Sequence, residues 1–222
     1  MGKHKIEPDY FYYYMGLSYY DKKKYDISLK YYMKAYDKLD VLARDIHKLH
    51  NSAGITYDEM RNNDQALNYY QKCIAANPKY HSAYYNIAIV YKRMAKTNEA
   101  ITWYRKAIDI NPRYSYAYNN LGNIYKNQRN YEEAIKCYKK AVEFLSTYTL
   151  ALANMGVCYL KIKNYREAFN ALERAKEILP TDNNNLSESN KSFLKDTIDQ
   201  FDKEGEIWRQ NGFVTQELKS HL

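Results

Sequence analysis

The chain has 222 residues, a net charge of +8 and 27 tyrosines. No run approaches the ~18–20 apolar residues that a membrane-crossing helix needs, so membrane insertion is not expected. A glycine-rich phosphate loop, HExxH, GxSxG and any recognisable carboxylate pair are all missing, so neither an enzyme nor a cofactor or metal centre is expected.

The predicted elements are helical hairpins at about 9–42, 47–80, 81–114, 115–148 and 149–182. Within the fourth, Tyr118, Leu121, Gly122 and Tyr125 stand at i, i+3, i+4 and i+7, one face of a helix. A small residue marks the point where the two helices of each hairpin cross: Gly16, Gly54, Ala88, Gly122 and Gly156, spaced by 34 from Gly54 onward. Three places later come Tyr19, Tyr57, Tyr91, Tyr125 and Tyr159; twelve later, Ser28, Ala66, Ala100, Ala134 and Ala168. Sixteen later come Tyr32, Tyr70, Tyr104, Tyr138 and Leu172. The small residues permit close approach, and each tyrosine fills the adjoining space by burying ~150–250 Å². Pro78, Pro112 and Pro180 are expected to close three hairpins, because proline cannot continue a helix and extends the residue before it. Four extra residues, Ala43–Ile46, follow the first hairpin; about one helical turn, they can lengthen a helix without rotating its buried face.

After Pro180 the period stops. Residues 181–187 read as a polar linker, and Leu194, Ile198, Phe201, Gly205 and Trp208 recur as one face of an amphipathic helix. That helix is expected to cap the fifth hairpin, with Phe201 and Trp208 buried against it, and to stop at Asn211-Gly212. Phe213, Val214, Leu218 and Leu222 read as a short last helix that docks on a partner or on the chain itself.

Met1 to Asp9 is polar and basic, and Cys73, Cys137 and Cys158 stand outside any CxxC pair. Both features predict reduced thiols and a cytoplasmic location. Lys34, Lys72, Lys106, Lys140 and Arg174 share one register and read as a solvated helix face. Basic residues scattered among acids, rather than clustered with stacking aromatics, give no expectation of nucleic-acid binding. His47 and His50 read as partly buried structural histidines, since a metal site needs more converging ligands.

The 34-residue period, with its aromatic, small residue, tyrosine, alanine and closing proline, resembles the tetratricopeptide repeat. The resemblance covers about four-fifths of the chain and is similar to the repeats of O-linked N-acetylglucosamine transferases, without their catalytic half. It implies an all-α, right-handed solenoid of five helix-turn-helix repeats in residues 1–182, with linker, capping helix and short last helix in 183–222.

The resemblance also implies a concave groove lined by the first helix of each hairpin. Asn86, Asn120 and Asn154, each two residues before a crossing residue, form a ladder spaced by 34. In those transferases and in the peroxisomal targeting-signal receptor, asparagines at this place contact the backbone of an extended peptide. A carboxamide suits that role because it both donates and accepts. Asn119 and Asn123 flank the middle rung, while Ser52 and Tyr14 take the ladder position in the second and first hairpins. Along the first helices, Asp21, Asp58 and Glu59 give way to Lys92 and Arg93, then Lys126 and Lys161. A chaperone carboxylate clamp is not expected, because the corresponding positions, such as Asn51 and Ile55 or Leu150 and Asn154, carry no cations. The expected function is a non-enzymatic adaptor holding an extended, partly acidic segment of another protein. The alternative is a permanent subunit of a large ciliary, cell-cycle or organellar assembly.

Overall fold

The computed structural model describes residues 8–37, 45–182, 190–197, 199–200 and 203. Each hairpin is organised by one close approach. A Cβ placed on Gly16, Gly54 or Gly122 would stand 2.3, 2.6 or 2.7 Å from the ring of Tyr32, Tyr70 or Tyr138, sixteen residues further on. On Gly156 it would meet Leu172 at 2.5 Å. Each ring therefore fills the space a side chain would need, and burying it stabilises by a few kcal/mol at roughly 25 cal/mol per Å². In the third hairpin Ala88 and Tyr104 hold the same places, and both are fully buried.

The hairpins follow in chain order: α1 (Pro8–Asp21) with α2 (Tyr25–Tyr36), α3 (Ile46–Glu59) with α4 (Asn63–Ala76), and α5 (His81–Arg93) with α6 (Thr97–Ile110). Then come α7 (Ser115–Asn127) with α8 (Tyr131–Phe144), and α9 (Thr149–Lys161) with α10 (Tyr165–Asp182). No strand occurs among the described residues. The chain divides into two compact units, Met1–Pro112 with the first three hairpins and Arg113–Leu222 with the last two.

One turn joins the helices of every hairpin. Lys23, Arg61, Ala95, Arg129 and Lys163 take left-handed backbone, with φ from 56 to 61°. The N–H of the next residue then donates to the carbonyl of Tyr19, Tyr57, Tyr91, Tyr125 or Tyr159, at 2.9 Å each time. This is the six-to-one closure of a Schellman motif, made here without glycine. Asn62, Asn130 and Asn164 start the following helices by accepting the N–H of Gln65, Glu133 and Glu167 at 3.2, 3.4 and 3.3 Å.

In the first unit the irregular Ser28 is explained by its hydroxyl, which donates to the Gly16 carbonyl at 2.8 Å and so is buried without cost. Of the four extra residues, Asp45 caps α3 and Ile46 begins it, while Ala43 and Arg44 lie outside the described residues. Helices α4 and α6 end at Ala76 and Ile110, two residues before Pro78 and Pro112, as expected. Pro180 differs: α10 continues through it to Asp182. So near a helix end a proline forfeits a single helical hydrogen bond, and two more residues follow.

In the second unit Ile135, Tyr138, Leu152, Cys158 and Leu172 share one core with Leu194, which is fully buried. Leu194 belongs to a helical stretch at 190–197, and Phe193 packs on the same core. Ile198, Phe201, Gly205, Trp208 and the expected last helix lie outside the described residues.

Candidate interaction site

In the first unit the ladder positions meet the neighbouring first helix. Asn86 Nδ2 donates to Asn51 Oδ1 at 3.0 Å, and Tyr13 Oη and Ser52 Oγ are hydrogen-bonded at 3.3 Å. Both bonds link the residue three before the crossing in one hairpin to the residue two before it in the next. The Asn86 carboxamide therefore helps to stack α5 on α3, with one amide hydrogen directed at the buried Asn51. Asn51 is a member of the site that the 34-residue spacing alone does not single out, since it stands 35 residues from its partner.

The charge succession along the first helices also closes on itself. Arg93 donates to the Asp58 carboxylate as an ion pair, and to Asn63 Oδ1 at 2.5 Å. Within the expected succession from acidic to basic positions, Asp58 and Arg93 thus engage each other, because α3 and α5 bring them together. Lys92 is exposed as a whole residue, and partial desolvation lowers its pKa from 10.5.

In the second unit Asn119, Asn123 and Lys126 fall at i, i+4 and i+7 of α7, on one face. Asn119 is 5% exposed, and its Oδ1 is buried with no hydrogen-bond donor. An unmet acceptor of this kind costs ~1–3 kcal/mol. Asn123 Oδ1 accepts from Tyr138 Oη at 2.7 Å, tying the α7 face to the buried ring of α8. Lys126 Nζ donates to Asn154 Oδ1 at 2.6 Å, and Asn154 is itself buried on α9. Asn119 and Asn154 hold the registers of Asn51 and Asn86, but here the oxygen of Asn154 is taken by Lys126. Asn120 is partly buried beside them.

The basic register on the second helices is exposed, as the sequence implies, and its ammonium groups also lie over aromatic rings. Lys72 Nζ lies 4.7 Å from the Tyr69 ring centroid, Lys106 lies 4.1 Å from Trp103, and Lys34 lies 5.4 Å from Tyr31. These ammonium groups cover aromatic faces three residues back on their own helices. Burial pushes the Cys73 and Cys158 thiols up to about 12 and about 11, away from nucleophilic use. Among the described residues no three His, Cys, Asp or Glu side chains converge for a metal, and no helix is long and apolar enough to cross a membrane.

Tetratricopeptide-repeat families match residues 47–80 and 150–182, 69–102, 96–129 and 115–148. The chain is therefore built of tetratricopeptide repeats over its second to fifth hairpins. No curated protein sequence matches it. Among solved structures it is similar to the MamA protein, with 21% identity, TM-score 0.61, and coverage of 81% of this chain and 96% of that one. BtubC (BKLC) from P. vanneervenii is similar at 16% identity and TM-score 0.65, covering 78% and 80%. YrrB, described as a TPR protein with an unusual peptide-binding site, is similar at 21% identity and TM-score 0.56, covering 76% and 85%. At these identities the likeness is one of fold.

Proposed function

We propose that this chain is a non-enzymatic, cytoplasmic adaptor that binds an extended, partly acidic segment of another protein on the first helices of its hairpins. The observation that carries the proposal is the polar face of α7, where Asn119, Asn123 and Lys126 stand at i, i+4 and i+7. The ladder residues Asn86, Asn120 and Asn154 supply further carboxamides, and Lys92 and Lys126 favour acidic side chains over basic ones. The peptide-binding site of YrrB supports the same use of this fold.

The partner is to be recovered by affinity purification from the native organism and identified by mass spectrometry. Replacing Asn86, Asn120 and Asn154 by alanine should then weaken binding about tenfold to several-hundredfold, at ~0.5–1.5 kcal/mol per lost bond. Asn51→Ala breaks the Asn51–Asn86 rung without removing a ladder residue, and so separates loss of stacking from loss of ligand contact. Asn119→Leu should stabilise the chain, because it removes a buried acceptor that has no donor. Unchanged affinity in the triple variant would favour a permanent structural subunit of a larger complex.

A further inference from the structure

The cation of the α7 face already has an aromatic neighbour from the chain's own tail. Lys126 Nζ, hydrogen-bonded to Asn154, lies 5.5 Å from the ring centroid of Phe193. Phe193 and Leu194 are adjacent in the 190–197 helical stretch and both pack on the core of the last two hairpins, but Phe193 also reaches the cation of α7. Leu194 is fully buried and completes the core of the last two hairpins. Phe193 is only partly buried, and its ring lies over the ammonium that belongs to the face carrying Asn119 and Asn123. Capping the core requires Leu194; it does not require an aromatic ring over Lys126.

We infer that residues 190–197 are a tethered occupant of the α7–α9 face, and that this face takes a helical turn presenting an aromatic residue beside an aliphatic one. This rests on the proposal above that the α7 face binds protein segments, and adds that an outside segment binds there by displacing the tail. Only seven residues, 183–189, separate the stretch from the end of α10. A connection of that length holds its segment at an effective concentration on the order of 1 mM, so weak contacts suffice to keep the face filled. Displacing Phe193 uncovers one side of the Lys126 ammonium for an acidic group, while the Asn154 oxygen keeps its bond.

The test uses the full chain and a fluorescein-labelled synthetic peptide of residues 188–203. The Phe193→Ala, Leu194→Ala double variant should bind this peptide at least tenfold more tightly than the native chain, whose face is already filled. Lys126→Ala added to the double variant should weaken the peptide severalfold. Phe193→Ala alone leaves Leu194 in the core and so keeps the test valid if the double variant unfolds. It should raise the acetylation rate of Lys126 by acetic anhydride severalfold, without changing that of Lys140. The inference is overturned by equal peptide binding to native and double-variant chains. It is also overturned by no binding to a folded double variant at about 1 mM peptide, or by unchanged labelling of Lys126. No outside partner enters these assays, so their failure leaves the asparagine series to be judged separately.

Discussion

His50 and Tyr36 show how much a single buried pair contributes to the first unit. Tyr36 Oη and His50 Nδ1 are hydrogen-bonded at 2.7 Å. Burial, reinforced by the charges of Lys72 and His47, holds the His50 pKa down to about 4 from 6.5. The unfolded chain takes up this proton first as pH falls, whereas the folded chain refuses it. Stability is therefore intact above pH 6.5 and declines as pH drops toward about 4. Urea midpoints measured across that window should fall for the native chain and change less for His50→Phe. A second residue-scale prediction concerns the turns. Left-handed backbone costs an L-residue ~1–2 kcal/mol, and glycine's extra unfolded-state entropy offsets about half of that. Ala95→Gly should raise the melting temperature, with a gain of up to about 1 kcal/mol. Nothing in the sequence discloses this conformation, because Lys23, Arg61, Ala95, Arg129 and Lys163 are ordinary residues and the tertiary stacking imposes their φ.

At the scale of the element, the crossing glycines and their tyrosines set the geometry of each hairpin. Gly122→Ala would place a methyl 2.7 Å from the Tyr138 ring. Overpacking of ~1–3 kcal/mol should outweigh the ~1 kcal/mol gain in helix propensity, a net loss measurable by chemical denaturation. Leu194→Ala should cost ~2–5 kcal/mol, since that side chain is fully sealed in the core. A melting temperature unchanged by this substitution would remove the stretch at 190–197 from the fold of the second unit. The hairpins were legible because their signal is local: each repeats the same face at the same spacing. The rungs between hairpins were not. Asn51 to Asn86 and Asp58 to Arg93 are both 35 residues apart, one more than the period, because stacking offsets α5 against α3. Pro180 misled for a related reason, since its cost depends on how many residues of α10 follow it.

At the scale of the whole molecule, the net charge of +8 conceals a division of labour among its cations. Arg93 is engaged by Asp58, and Lys72 and Lys106 lie over aromatic rings. Lys92 and Lys126 are the cations that the proposed function gives to the partner, although Lys126 is also hydrogen-bonded to Asn154 and lies over the Phe193 ring. Replacing both by glutamine should flatten the salt dependence of partner binding, measured between low salt and 0.15 M, where screening acts over about 8 Å. Arg93→Gln should instead lower the stability of the first unit by about 1 kcal/mol, as expected for a half-buried pair, and leave the salt slope in place.

The Gly–Tyr contact also bears on how the chain is made. Each one closes between residues sixteen apart, as with Gly54 and Tyr70. Closing so short a loop takes little entropy, and helix pairs of this kind form far faster than a ribosome adds ~5–20 residues each second. The first hairpin can settle while the third is still being synthesised, and each finished one offers its successor an ordered surface to stack on. A chain ended at Pro112 should already protect the amides of α3 and α4 from exchange, without the last two hairpins.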